Sequence, residues 1–278
     1  MLAKLPADNA TFAGNRAVGR IELSVAAEAR GNSRRRVCEA GSLRVRFPNI
    51  APGGALDAVI INTAGGMTGG DRFDLDFDVG DGARLTVSTA AAEKIYRSLG
   101  TDTVVNVRLT VGTGAMLAWL PQETILFDRM RLRRTIEADL AADGQLVIAE
   151  MLVFGRSAMG ETLARGNLFD RWRIRAGGAL IFAESLRLDG ALAENLAQRA
   201  SAGGGCAIAS VLKFPASDAD IAAVRQKEST FAGEVGISSF NGLALARLVA
   251  PEGAALRRDL ISVLTALGDM PLPRLWLN

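Results

Sequence analysis

The segment "RFDLDFDV", residues 72–79, places Phe73, Leu75, Phe77 and Val79 on one face of an extended chain and Asp74, Asp76 and Asp78 on the other. Alternation with period two is the mark of a strand that buries one face. "TVVNVRLTV" (103–111), "RLRRTIEADL" (131–140) and "RWRIRAGGALIFAESLRL" (171–188) repeat the pattern. In the last, Gly177-Gly178 predicts a hairpin turn. About a dozen or more strands are expected from this recurrence. The aspartate face of 74, 76 and 78 reads as a solvated sheet face.

A second regularity concerns stacking. A glycine opens an apolar run at Gly82, Gly114, Gly144 and Gly178, with spacings of 32, 30 and 34 residues. Each unit is expected to be two strands joined by a tight turn. A near-constant period suggests repeated stacked units, although a layered sandwich with long hairpins would show much the same pattern. The fold class expected is mainly β, a stacked or layered sheet, solenoid-like or sandwich, with about two helices.

Two segments leave the β pattern. "PASDADIAAVRQKES" offers Ser217 as an N-cap, acids in the first turn and bases in the last. "PEGAALRRDLISVLTALG" spaces apolar residues at 256, 260, 264 and 267 and stops at Gly268. A short third helix, or a loop along the sheet, is expected over 90–98. The tail "DMPLPRLWLN", with two prolines, is expected to be extended. With no Pro- or Ser-rich linker, residues 1–278 read as a single domain.

Composition narrows the chemistry. Thirty-two basic against 30 acidic side chains leave a net charge of +2, which gives no reason to expect nucleic-acid binding. Arg34-Arg35-Arg36 reads as a solvated turn. Cys38 and Cys206 stand apart, outside any paired motif, and read as buried thiols of a cytoplasmic protein. No apolar run is long enough to span a membrane, and "MLAKLPADNATFAGN" lacks the apolar core of a signal peptide. The chain has no histidine, which excludes His-activated nucleophiles and His-ligated metal catalysis.

The stretch "NTAGGMTGGDR" (62–72) holds Gly65, Gly66, Gly69 and Gly70 and ends in Asp71-Arg72. A phosphate-binding loop would continue as Lys-Ser/Thr and open a helix. Here a strand pattern precedes and another follows, so the dipole of a helix N-terminus is missing. Composition favours a tight crossing between strands, with Asn62, Thr63 and Thr68 capping freed backbone groups; a partner-binding loop is the second reading.

In "INTAGGMTGGDRF" the chain resembles the urease accessory protein D family, also called UreD or UreH. "STAAAEKIYRS" (88–98), "LAWLPQETILFDRMRLRR" (117–134), "FGRSAMGE" (154–161), "DRWRIRAGGALIFAE" (170–184) and "LPRLW" (272–276) follow in the family's order. The likeness covers residues 43 to 276. The resemblance implies a non-enzymatic, mostly β scaffold with two helices. It implies partners as well: the urease apoprotein and the F and G accessory proteins, G being a GTPase that carries nickel. It also implies transient passage of Ni2+ through an internal channel, with no tightly bound cofactor.

A chain without imidazole is poorly supplied to store nickel. Carboxylates, carbonyls and hydroxyls bind weakly enough to admit an ion and release it. The candidates for a channel lining are Glu123, Asp128, Glu150 and Glu161, acids set within apolar or strand-like motifs. Glu150, in "LVIAEMLVF", stands out because apolar residues flank it on both sides. Ordinary salt bridges with Arg129, Arg134 or Arg156 are the competing role for these acids. Lys94, Tyr96 and Arg97 lack an orienting third group and read as structural. Arg274 and Trp276 are candidates for contact with a partner, Trp276 as an exposed anchor or packed back on the sheet. A carboxylate glycoside hydrolase, with Glu123 facing Asp128 across a groove, is the alternative function; three Trp and one Tyr are few for sugar stacking. A bare β-rich structural protein is the third.

Overall fold

The computed structural model describes residues 16–29, 31–48, 54–155, 160–161, 163–268 and 272–277. The alternating segments become strands of two facing sheets. The first sheet has seven strands. In spatial order they are β14 (Ala179–Ala191), β13 (Arg165–Ala176), β11 (Arg131–Leu140), β8 (Thr103–Val111), β5 (Arg72–Val79), β1 (Val18–Glu28) and β2 (Gly31–Gly41). The second has ten. Its main path is β16 (Glu234–Phe240), β17 (Leu243–Ala250), β15 (Ala207–Phe214), β12 (Gln145–Phe154), β9 (Met116–Trp119), β6 (Arg84–Thr89), β4 (Leu56–Asn62) and β3 (Leu43–Arg46). Off this path, β10 (Thr124–Leu126) pairs with β12 and with β7 (Glu93–Ile95).

From β4 to β13 the chain passes back and forth between the sheets, and each coil adds a rung to both. Strands β5, β8, β11 and β13 are parallel neighbours, as are β4, β6, β9 and β12. Parallel strands cannot be joined by a tight hairpin; here the opposite sheet supplies the crossover. Gly82, Gly114 and Gly144 stand in three stacked turns that carry the chain across, and the Gly82 N–H donates to the Thr113 carbonyl of the next turn at 2.8 Å. Gly178 differs, because it closes the antiparallel β13–β14 hairpin within one sheet. The period is therefore solenoid-like, with a hairpin at its last step.

The inward faces form the main core, in which Ile21, Leu23, Phe77, Leu85, Leu109, Leu117, Ile136 and Ile148 are buried. A second apolar layer lies on the far face of the ten-stranded sheet. There α3 (Gly253–Leu267) lays Leu256, Leu260, Val263 and Leu264 against Ala118, Met151 and Val211. Strand β9 is consequently buried at every position, as expected of a strand covered on both faces.

Both expected helices form. Ser217 and Asp220 make a reciprocal capping box at the start of α2 (Asp218–Arg225), and Gly268 ends α3 in the left-handed conformation at φ 69°. The six-residue α1 (Leu192–Ala197), which buries Leu192 and Leu196, is an addition.

Four expectations need correction. Of the helix or loop expected over 90–98, the helix does not form: the segment runs along the sheet as a loop that contains the three-residue strand β7, because β10 supplies a parallel partner. Residues 34–36 lie on the edge strand β2, not in a turn, and Arg35 and Arg36 pair with Glu28 and Glu22. Cys38 and Cys206 are half-buried rather than buried. The tail forms a 3-10 turn over Arg274–Trp276; residues 269–271 of that segment, like residues 1–15, lie outside those described. The outer aspartates are also less bare than expected. Asp74 and Asp76 are half-buried and paired with Arg72 and Arg108, while Asp78 is exposed. No helix among the described residues is long and apolar enough to cross a membrane.

Candidate functional site

The glycine loop connects β4 in one sheet to β5 in the other, so it is a crossing between layers. Gly65, Gly66 and Gly70 hold positive φ. Gly69 is needed for close approach, since a Cβ there would lie 2.0 Å from Ser98 Oγ and 2.4 Å from the Thr101 carbonyl oxygen. Asp71 is 4% exposed and fixes the loop from within. Its carboxylate accepts the Ala17 N–H at 2.8 Å and the Thr68 N–H at 2.7 Å. Thr63 and Thr68 donate to the Ser42 and Arg97 carbonyls, and Asn62 accepts the Ala64 N–H. Tyr96 lies against Phe127 edge-on and donates to the Gly65 carbonyl.

The chemistry lies deeper. Along β11 the inward positions are Leu132, Arg134, Ile136, Ala138 and Leu140, and along β13 they are Leu168, Asp170, Trp172 and Ile174. A cation and a carboxylate thus occupy core positions of two apolar series. The parallel register sets Arg134 directly beside Asp170. The guanidinium donates to both Asp170 oxygens, Nε at 3.1 Å and Nη2 at 2.5 Å. Its Nη1 crosses the sandwich to Glu150 on β12. The other Glu150 oxygen accepts the Trp119 indole N–H at 2.7 Å. All three charged residues are 4–5% exposed.

Burial alone would loosen the Arg134 proton, but Asp170 and Glu150 outweigh it and hold the charge in place. Burial pushes the Glu150 carboxyl above its usual range, and Asp170 adds to this against the opposing pull of Arg134 and Trp119.

Two cavities within the sandwich meet at this cluster. The first, of about 70 Å3, has mostly apolar walls with Thr89, Glu93, Gln122 and Thr124 among its polar groups. The second, of about 90 Å3, lies toward β14, β15 and β17 and includes Asp170, Glu184, Ser210 and Arg247. Arg134 and Glu150 line both. At the scale of one probe sphere of about 10–15 Å3 per water, each has room for several waters.

Of the acids singled out in the sequence, Glu150 alone lines these two cavities. Glu123 pairs with Arg257 at 3.3 Å, beneath the C-terminal turn. Asp128 accepts the Arg165 N–H at 3.0 Å and pairs with Arg129 at 3.6 Å. Glu161 is half-buried beyond the end of β12, and Arg156 lies outside the described residues. Trp276 is not an exposed anchor. It is 1% exposed, its indole N–H donates to the Leu120 carbonyl at 2.9 Å, and the Arg257 guanidinium lies over its ring. Arg274 is exposed.

Asp170 and Glu93 were not singled out from the sequence. For Asp170 the available signal was a charge at an inward register position. Glu93 accepts from Asn62 at 2.9 and 3.1 Å, and burial raises its pKa above the usual 4.5. A raised folded-state pKa gives stability that is present below the unfolded value and lost as pH rises through the folded one. Glu93→Gln should therefore remove part of the acid-side gain in stability. A urea denaturation series against pH in which the variant keeps the full slope would refute this.

The glycine loop, the layered sandwich and the interior charges can be set beside known proteins. A model of the family described as "UreD urease accessory protein" matches residues 17–277. The chain is 50% identical over 269 residues to "Urease accessory protein UreD" of Rhodopseudomonas palustris (strain BisB18), covering 97% of each chain. It is 51% identical over 272 residues to the protein of the same name from strain HaA2, covering 98% of this chain and 97% of that one. To the Bradyrhizobium diazoefficiens protein of that name it is 49% identical over 279 residues, covering 100% of both. On a match that spans nearly its whole length, the chain belongs to the UreD family of urease accessory proteins.

Proposed function

We propose that, within urease maturation, this chain is a non-catalytic cytoplasmic scaffold that joins the urease apoprotein to the F and G accessory proteins. Nickel passes through its sandwich toward the urease active site. The observation that carries this reading is the pair of interior cavities meeting at Glu150. The ligand chemistry supports it. Oxygen donors met one or two at a time suit an ion in transit better than one in storage.

A reconstituted mixture tests the reading: apo-urease, the F and G proteins, GTP, bicarbonate and nickel, with and without this chain. Urease activity should appear only when the chain is present. Glu150→Ala should lower that activity while the complex still forms on a sizing column. Full activation without the chain, or failure of the chain to join the complex, would sink the proposal.

A further inference from the structure

The turn that follows β7 and leads into β8 shows an exposure that folding does not explain. Leu99 is 82% exposed, the most open of the large apolar side chains among the described residues. Its turn is nonetheless tightly built. The Ser98 hydroxyl donates to the Thr101 carbonyl at 2.5 Å and accepts the Gly100 N–H at 3.1 Å. The Gly70 N–H donates to the Asp102 carbonyl at 3.0 Å, and Gly69 packs directly against Ser98. The glycine loop is thus the seat on which this turn stands. Arginines surround it. The Ser98 N–H donates to the Arg129 carbonyl at 3.0 Å and the Arg129 N–H to the Arg165 carbonyl at 2.8 Å. Arg97 pairs with Met130 as an antiparallel bridge. Arg97, Arg129 and Arg165 therefore share one end of the sandwich with Leu99, and all three are exposed. Arg131 and Arg133 stand beside them, both paired with Asp102. Arg97 and Arg165 have no carboxylate partner among the described residues, and Arg129 has only Asp128 at 3.6 Å. Over residues 97–102, 128–133 and 165, five arginines stand against two aspartates, an excess of three positive charges in a chain whose net charge is +2.

We propose that this end of the sandwich is a protein-docking face. The Leu99 turn enters an apolar pocket on an acidic partner of the maturation complex, and Arg97, Arg129 and Arg165 meet carboxylates on the rim of that pocket. The inference rests on the scaffold reading and adds to it where one partner is held and by what chemistry. The turn is ordered before binding, so docking costs little conformational entropy. Exposed arginines at the rim speed encounter with an acidic surface and select against a basic one. The partner is a protein rather than a nucleic acid for two reasons. Asp102 and Asp128, set among the arginines, would face a phosphate backbone with like charge. An apolar tip gains nothing from a phosphate, whereas it gains from burial in a pocket.

Two variants test this, Leu99→Ser and the pair Arg97→Glu with Arg165→Glu. Each changes exposed side chains only, so both proteins should melt like the native chain. The native chain and both variants are titrated against apo-urease, the F protein and the G protein, each separately. For one partner, Leu99→Ser should weaken binding about tenfold or more, as for an apolar side chain buried in a complex. The charge reversal should weaken the same partner at least as much. Native binding of that partner should fall as salt rises, because exposed charges are screened. If either variant keeps native affinity for every partner that the native chain binds, the docking face is overturned while the scaffold stands on another surface. Binding of duplex DNA that depends on the arginines and is indifferent to Leu99 would assign the face to nucleic acid and overturn it as well. If the native chain binds none of the three proteins, the scaffold reading falls and this inference with it.

Discussion

Arg134→Ala is expected to destabilise the chain by about 3–5 kcal/mol, the range for breaking a buried ion pair by removing one partner. The residue occupies an inward position of β11 between Leu132 and Ile136, and both of its partners are as buried as it is. Without the guanidinium, Glu150 and Asp170 face each other across the sandwich with no neutralising charge. The loss should depend on pH in a defined direction. Burial already raises Glu150 above its ordinary value of 4.5, so its folded form binds a proton more readily than its unfolded form. Stability linked to that proton is present below the unfolded value and is lost as pH rises through the folded one. The defect should therefore be largest near neutral pH and shrink in acid. Urea denaturation at several pH values, with matched slopes, reads this directly. A loss below about 1 kcal/mol, closer to an exposed pair, or a loss that grows in acid, would show that the cluster is more open to solvent than its geometry indicates.

Trp276→Ala should be comparably damaging, at about 3–5 kcal/mol, as expected for removing a fully buried tryptophan. The ring fills the layer between α3 and the ten-stranded sheet, and Arg257 lies 4.9 Å above it. Truncation also leaves the Leu120 carbonyl without its indole donor. Arg257 further binds the Leu275 and Trp276 carbonyls, Gln122 Oε1 and Glu123, so the tail, the helix and the segment before β10 should loosen together. Thermal unfolding of the isolated chain distinguishes this structural role from a partner anchor. A variant that melts like the native chain but fails to bind its partners would overturn the assignment. Arg274, exposed on the same turn, is the residue whose loss should spare stability.

The sequence made different parts of the molecule legible to different degrees. The alternating runs 72–79, 103–111 and 131–140 coincide with β5, β8 and β11, because strand burial imposes a two-residue period on each segment. The caps at Ser217 and Gly268 were readable for a similar reason, since capping joins residues three or four apart. Strand β7 and the burial of Trp276 were not readable. Strand β7 exists because β10 lies beside it, and Trp276 is buried because Leu120 and Arg257, far away in sequence, surround it.

By itself, then, the sequence determined the alternating strands, two helices, the mainly β class and the family. These follow from local periodicity, from turn chemistry and from motifs in order. Only the tertiary structure decided that Arg134, Glu150 and Asp170 meet, and that two cavities join where they do. That meeting depends on the register between rungs, which the length of every turn from β11 to β13 sets jointly. A shift of one residue in any of them would turn one of the charges outward. Charges at inward positions were visible in the sequence; which of them face one another is a property of the stacked coil alone.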